Sequence, residues 1–546
     1  MTKRGEIESE LLPFPVAARA ERPGQPTVVR VREDLSVPAG ALDAAAVERL
    51  SASCTHTNRA HERAVKAGYY GSGRPFVETW DESGGRVRVA RGATAKLVEA
   101  LGVEPVWVDE TETVPVDWPA YRGEIRGYQD RAASIAAAAR QGVVVGGCGS
   151  GKTEILLVAA ERSGQRTLVL VDTRDLQAQW IARVLDRFAV EPGDVGAVGG
   201  VEADPRGADW RLVNRGTGGR VVTVATVQTV LRRSEEAEGY GCVVGDEAHV
   251  WAARTFLEVV APTRAAWRLG ATATLQRSDG LIGVVLDVFG PVLYEVSDAE
   301  LGDAGVLQEA TVRLVRTPFR MDARPRRRGR VWVHVPWNEV VDRMIADDDR
   351  HAVAVSTCLR AAREGPTLVL SIRRPYAVEI GAALAAEGVR VASLLGGSGR
   401  ASDCLRCGRF PDVEGDEARC ASCGAPLLRR GEHNAAALAA VESGEVRVVV
   451  ATSVADKGLD APSVSRAVVL LPTAGAKGEA VSARLRQQLG RLRRVADGKV
   501  DSVMYYLSDE EMRFGKERAG KLRRRFGAVD DGPAAAPGVT SRGERR

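Results

Sequence analysis

The sequence predicts an α/β protein with two tandem parallel-sheet domains, a small α+β domain ahead of them and a metal-binding insertion in the second. Three observations carry this. From Tyr121 to about Gly290, and again from about Val306 to Leu507, apolar runs of strand length alternate with segments of helical periodicity. That alternation is the signature of a parallel sheet covered on both faces. The first segment holds the run Gly146-Gly147-Cys148-Gly149-Ser150-Gly151-Lys152-Thr153, and the second is interrupted by two Cys-x-x-Cys pairs.

A chain of 546 residues has room for about three or four domains. The pattern divides it into an N-terminal extension over 1–26, a small domain over 27–117, and a first sheet domain over 118–300. A second sheet domain covers 301–510 with its insertion at 401–430, and a basic helix with a disordered tail covers 511–546. A net charge of +4 excludes a uniformly polycationic surface, although positive charge clusters at Arg324 with Arg326–Arg330, at Arg484–Arg494 and at Lys516–Arg525. Residues 1–20 lack an apolar signal core and no run reaches transmembrane length, so a soluble, cytoplasmic protein without a membrane partner is expected. Four of the eight cysteines fall in the two pairs, which fits a reducing compartment with one metal site better than a disulfide framework.

Taken in order, the small domain shows a strand at Thr27–Arg32, a helix at Ala44–Leu50, and Arg86–Val89 leading into a helix at Ala93–Leu101. Between them, Asn58 to Trp80 interleaves Arg59, His61, Arg63 and Lys66 with Tyr69, Tyr70 and Trp80. Basic residues among aromatics suit a nucleic-acid surface, and they suit a half-buried aromatic cluster equally well. Cys54, His56 and His61 lack a fourth metal ligand and read as incidental.

In the first sheet domain, Val143–Val145 reads as a buried strand and Glu154–Glu161 as a helix, which puts the Gly-rich run between strand and helix. That is the context of a phosphate-binding loop. Backbone N–H groups from Gly146, Gly149, Ser150 and Gly151 would curl round a phosphate chain at the helix N-terminus. Lys152 would reach the β- and γ-phosphates, and the Thr153 hydroxyl would ligate Mg²⁺. Strands follow at Thr167–Val171, at Val221–Val224 and at Cys242–Gly245. The last ends in Asp246-Glu247-Ala248-His249, where Asp246 would hold Mg²⁺ and Glu247 would accept a proton from an attacking water. A strand at Trp267–Leu269 runs into Thr272-Ala273-Thr274, whose hydroxyls could couple the γ-phosphate to movement.

The second sheet domain has strands at Thr367–Ser371, Val389–Ser393, Val446–Thr452, Ala467–Leu471 and Val503–Leu507, and no phosphate loop of its own. Asp456-Lys457-Gly458-Leu459-Asp460 follows one strand. A basic helix carries Gln487, Gly490, Arg491 and Arg494, where arginines at i and i+3 share a face and could meet a polyphosphate.

These pieces, in this order, resemble the superfamily 2 helicases and translocases, more narrowly the XPB-like DEAH-box group. The resemblance rests on Tyr128-Gln129, the phosphate loop, Leu176 with Gln179-Trp180, Thr226 with Gln228, Asp246-Glu247-Ala248-His249 and Thr272-Ala273-Thr274. In the second domain it rests on Gly458 with Asp460, and on Gln487 with Gly490-Arg491 and Arg494. It implies two RecA-like domains with ATP bound between them, Gln129 on the adenine, and Gln487, Arg491, Arg494, Gly458 and Asp460 contributing from the second. It further implies nucleic acid held around Thr173, around Thr226 and Gln228, and at Gly396-Gly397. Asn58–Leu101 resembles, more weakly, the small DNA-binding domain ahead of the motor in bacterial and phage relatives. One departure stands out: the family's Arg-Glu-Asp is here Arg277-Ser278-Asp279, without the carboxylate associated with strand separation.

Cys404-x-x-Cys407, twelve intervening residues, and Cys420-x-x-Cys423 form a four-thiolate zinc pattern, each half followed by glycine (Gly408, Gly424). With no open ligand position, the site is structural. The expected protein is therefore an ATP-dependent DNA helicase or translocase using ATP, Mg²⁺ and a structural Zn²⁺. The alternatives are a duplex translocase serving a nuclease or repair partner, and a clamp that binds ATP without hydrolysis. RNA is not excluded as the polymer.

Overall fold

In the computed structural model the chain forms two compact units, one ending at Ala304 and the other beginning at Gly305. The structure describes residues 27–531 apart from 67–68, 70–72, 148, 200–213, 216–220, 249–250, 252, 276, 278, 323–325, 329–330, 334, 397–398, 402, 411–417, 453–460, 473–484, 486–487 and 497. Tyr70, Cys148, His249, Gly397, Gly458, Asp460 and Gln487 lie outside the described residues.

The first unit contains an eight-stranded sheet in the order Asn214–Arg215, Val195–Val198, Val222–Thr226, Thr167–Val171, Cys242–Gly245, Trp267–Thr272, Gln141–Gly146 and Val292–Val296. Every pairing in it is parallel. Val143, Val145, Leu168, Leu170 and Val243 from its strands join Val284, Val288 and Phe289 of the Ile282–Phe289 helix in one core. Parallel strands buried on both faces need continuous apolar runs, and these supply them. The order of strands and the helical crossovers make this a RecA-like sheet.

A five-stranded sheet precedes it, in the order Trp80–Ser83, Arg86–Ala90, Asp34–Pro38, Val28–Val31 and Val106–Asp109, packed on the helices Ala44–Ser53 and Thr94–Leu101. This small α+β fold is bolted to the larger sheet by buried polar groups. Arg91, fully buried, donates from Nε to Gln141 Oε1 at 2.9 Å and from Nη1 to the Ala265 carbonyl at 2.6 Å. Arg268, also fully buried, donates to the Glu33 carbonyl at 2.8 Å.

Asp287 is the second fastener. Its carboxylate meets His56 Nε2 at 2.7 Å, Lys96 Nζ at 2.6 Å and Thr79 Oγ1 at 2.7 Å, all from the small fold. Burial pushes this carboxyl up, but the hydrogen bonds from His56, Lys96 and Thr79 outweigh it and hold the group below the usual Asp range. Asp287→Ala is expected to destabilise the first unit by about 2–3 kcal/mol in denaturant unfolding. That is somewhat less than a fully buried pair would lose, because Lys96 stays 30% exposed. The contribution is present above the unfolded Asp value of about 3.9 and is lost as the pH falls through the lower native value. An unfolding midpoint unchanged by the substitution would contradict this role.

The second unit holds a seven-stranded sheet in the order Val391–Leu394, Val448–Ala451, Thr367–Leu370, Arg466–Val469, Ser502–Ser508, Ala310–Arg316 and Val529–Asp531, again parallel throughout. It too is RecA-like. Helices Asp348–Glu364 and Arg374–Ala386 pack on one face, and Arg430–Glu442 and Arg513–Phe526 on the other.

Two local expectations need correction. The pattern gives a basic helix followed only by a disordered tail over 511–546, yet Val529–Asp531 adds an edge strand beside Ala310–Arg316. The strand is short and acidic, with no alternating pattern to announce it, and it is held by charge. Asp531 pairs with Arg313 and Arg360, and Asp530 with Arg316 and Arg523. Second, Arg491 and Arg494 do not share a helix face. Arg491 is helical, but Arg494 lies past the helix end in a bridge with Leu307. Lys499 terminates the helix by donating to the Leu492 carbonyl at 2.6 Å and the Arg494 carbonyl at 2.8 Å, and so satisfies the terminal acceptors.

Candidate nucleotide and metal sites

Five neighbouring strands of the first sheet end side by side, and the predicted residues stand on the loops that leave them. The Gln141–Gly146 strand delivers the phosphate loop, Cys242–Gly245 delivers Asp246 and Glu247, and Trp267–Thr272 delivers Thr274. Thr167–Val171 delivers Thr173, and Val222–Thr226 delivers Thr226 and Gln228. The C-terminal edge of a parallel sheet is where ligands bind in such folds.

Gly151 precedes the Lys152–Ser163 helix with φ at 71°, and that helix has no side-chain cap. Its first-turn N–H groups therefore lack intrahelical partners and face outward as an anion site. A Cβ at Gly151 would run into Gln129 Nε2, so both the dihedral and the space require glycine. Buried Ser150 folds back to the Gly147 carbonyl through Oγ at 2.8 Å. Lys152 is buried, donates to the Gly146 carbonyl at 3.0 Å and lies 3.5 Å from Glu247 Oε1. Thr153 follows it in the first helical turn. These groups fit a polyphosphate: helix N–H donors without intrahelical partners and one buried ammonium, with the Glu247 carboxylate 3.5 Å from that ammonium.

Gln129, fully buried, accepts from the Arg126 N–H at 3.0 Å and donates to the Ser150 carbonyl at 3.3 Å. Tyr128 Oη donates to the same carbonyl at 3.0 Å. The residue expected on adenine thus also braces the phosphate loop from behind.

Asp246 is buried, with Oδ1 accepting from the Glu247 N–H at 2.8 Å and Oδ2 accepting from Trp180 Nε1 at 2.8 Å. Burial and the neighbouring Glu247 push its carboxyl up to about 6, against the pull of Lys152 and the Trp180 hydrogen bond. A divalent cation at that carboxylate would reverse the shift. Glu247 has φ at 50°, one of two non-glycine residues in the left-handed region among those described. Trp180 is the contributor the sequence pattern does not single out as a site residue. Its place among the motif residues was visible, but not the direction of its N–H.

Thr173 caps the Arg174–Arg187 helix by accepting from the Leu176 N–H at 3.2 Å. Thr226 Oγ1 and Thr229 Oγ1 are 2.8 Å apart, and exposed Gln228 donates to the Asp172 carbonyl at 2.9 Å. Thr173, Thr226 and Gln228 therefore lie together. Arg277 grips Asp279 through two hydrogen bonds, at 3.0 and 2.7 Å, and donates to the Trp251 carbonyl at 2.8 Å. The Asp279 carbonyl in turn accepts from the Arg59 N–H of the small fold at 2.9 Å. The helix beginning there, Arg59–Lys66, leads to exposed Tyr69 and Phe76.

In the second unit the Sγ atoms of Cys404, Cys407, Cys420 and Cys423 all lie within 4.8 Å of one another. Cys404 and Cys423 are 3.8 Å apart and Cys407 and Cys420 are 3.6 Å apart, far beyond a disulfide. Four thiolates about 2.3 Å from one tetrahedral ion would stand about 3.8 Å apart, so the cluster fits zinc. The halves are built alike: Gly408 N–H donates to the Cys404 carbonyl at 2.9 Å and Gly424 N–H to the Cys420 carbonyl at 2.8 Å. Asp403 anchors the insertion to the edge strand, accepting from Ser393 N–H at 2.9 Å and Ser393 Oγ at 2.7 Å, with His433 Nε2 3.0 Å away. Gly396 lies between that strand and the insertion.

Residues 122–277 match the family model described as "Type III restriction enzyme, res subunit". The "Probable helicase D10" of Escherichia phage T5 is 29% identical over 199 residues, 36% of this chain and 40% of that protein. The "DNA 3'-5' helicase XPB" of Mycobacterium tuberculosis is 27% identical over 404 residues, 71% of this chain and 61% of that protein. The "DNA 3'-5' translocase XPB2" of Sulfurisphaera tokodaii is 28% identical over 179 residues, 33% of this chain and 37% of that protein. The chain thus spans less than two thirds of the length of each of these relatives. In residues 122–277 the chain carries a domain matching the res-subunit family, and over 71% of its length it is similar to that XPB helicase.

Proposed function

We propose that this protein is an ATP-dependent DNA helicase or translocase of the XPB-like DEAH-box group. The observation that carries the reading is the convergence of Lys152, Asp246 and Glu247 at one sheet edge, with Thr173, Thr226 and Gln228 on the adjoining loops. Lys152 anchors the phosphates, and Glu247 orients the attacking water and takes its proton. Thr153 and Asp246 would hold Mg²⁺, which would supply charge neutralisation to the phosphates. Gln129 meets the adenine, and Gly146, Gly149, Ser150 and Gly151 line the phosphates. Gln487, Arg491, Arg494, Gly458 and Asp460 serve hydrolysis in this reading, and Gly396 and Gly397 join the nucleic-acid contacts. The relatives' own names, helicase and translocase on DNA, support the polymer assignment.

An ATPase assay without polymer, and with single-stranded, duplex and forked DNA or RNA, tests this. Stimulation by DNA is expected. Nucleotide binding without turnover under every condition would make the protein a clamp, and stimulation by RNA alone would change the polymer.

A second reading, duplex translocation without strand separation, is favoured by Arg277 and Asp279. Their charges are engaged with each other, and serine replaces the family's glutamate between them. Displacing a third strand from a triplex while leaving a fork annealed would select that reading, with a nuclease or repair protein as partner.

The insertion is read as a structural zinc module. Cys404→Ser with Cys407→Ser is expected to release one zinc and unfold the insertion alone, because a structural metal folds its own small module. Basal ATPase should persist while DNA affinity or DNA stimulation falls. Elemental analysis beside ATPase decides it: a zinc-free parent, or collapse of basal turnover in the variant, contradicts the module.

A further inference from the structure

We propose that Trp180 is a positioning residue for the Asp246 carboxylate, fixing the oxygen geometry that this carboxylate offers to Mg²⁺. The inference rests on the ATPase reading above. Among the described residues the Asp246 carboxylate has two hydrogen bonds. The one from the Glu247 N–H belongs to the same turn and moves with it. The other comes from the Arg174–Arg187 helix, so it alone ties the carboxylate to a separate element.

That helix is well fixed. Gln177, fully buried and one turn ahead of Trp180, donates to the Val198 carbonyl at 2.9 Å and to the Val224 carbonyl at 2.8 Å. The Trp180 ring is 1% exposed, so its N–H has little freedom of direction. Filling the space needs only an apolar ring, and phenylalanine would serve. What phenylalanine lacks is a donor aimed at a buried carboxylate. An indole N–H donates and never accepts, so this contact holds Oδ2 as an acceptor and fixes the orientation of the carboxylate. It occupies one direction at Oδ2 and leaves the remaining lone pairs of both oxygens for other partners. Groups that orient a metal ligand in this way change metal affinity or activity by about 10- to 100-fold when removed.

The test titrates Mg²⁺ against binding of a fluorescent ATP analogue to the full chain, with turnover measured separately. Trp180→Phe is expected to raise the Mg²⁺ concentration for half-maximal binding by about 10- to 100-fold. Binding in EDTA should be unchanged. Replacement of Trp180 by benzothienylalanine keeps the ring shape, puts sulfur where the N–H stood, and should give the same shift. It also decides the matter should the phenylalanine variant fail to fold. Parental Mg²⁺ dependence in a folded variant without the N–H would overturn the inference while leaving the ATPase reading intact. A parent that binds no nucleotide at any Mg²⁺ concentration would overturn that reading, and this inference with it.

Discussion

If Glu247 is the general base proposed above, Glu247→Gln is expected to leave nucleotide binding intact and to lower hydrolysis by about two to four orders of magnitude, the usual cost of losing a positioned general base. The amide matches the carboxylate in shape but cannot accept the proton of the attacking water. Its backbone reinforces the expectation. Glu247 sits at a positive φ, and its N–H is held by the Asp246 side chain at 2.8 Å. Such a conformation costs about 1–3 kcal/mol and persists where the surroundings impose it. Glutamine tolerates it no worse than glutamate, so the variant should fold and bind as the parent does. Single-turnover phosphate release, measured beside equilibrium nucleotide binding, checks the split. Hydrolysis at the parental rate would remove Glu247 from the chemistry.

If Arg494 serves hydrolysis as proposed, Arg494→Ala is expected to lower DNA-stimulated turnover by about three orders of magnitude, the effect of removing an arginine that meets charge developing on a transferred phosphoryl group. Nucleotide affinity should change far less, since that charge is absent from the ground state. The backbone at Arg494 is secured independently of its side chain, by the Leu307 bridge and by Lys499 on its carbonyl. Equal losses of binding and rate would mark Arg494 as a ground-state contact instead.

The two sheets were legible because parallel strands buried on both faces must be written as unbroken apolar runs. Thr167–Val171 is bounded by the pattern where the structure bounds it. That Lys152, Asp246 and Glu247 would meet at one sheet edge was legible because each stands just past the end of a buried apolar strand, in a motif of fixed spacing. Strands such as Val195–Val198 and Val529–Asp531 escaped because each is short, and the second depends on ion pairs with distant arginines. The helix end before Arg494 was hidden for a similar reason, since Lys499 caps it by folding back from beyond the turn. Trp180 shows the limit most clearly. Composition marks it as core, and only the direction of one N–H reveals a second role.

The polar fasteners at Arg91 and Asp287 determine where this chain can be cut. A fragment starting after residue 117 would strand the Asp287 carboxylate without its lysine and histidine, and the Ala265 carbonyl without its donor. Such a truncation would damage the interior of the first unit, and any resulting loss of function would say nothing about the missing surface. Shuffling this N-terminal segment onto another parallel sheet would fail for the same reason unless Gln141 and Asp287 travelled with it. The two folds of the first unit, which ends at Ala304, therefore share one fate when the chain is cut, exchanged or expressed in part.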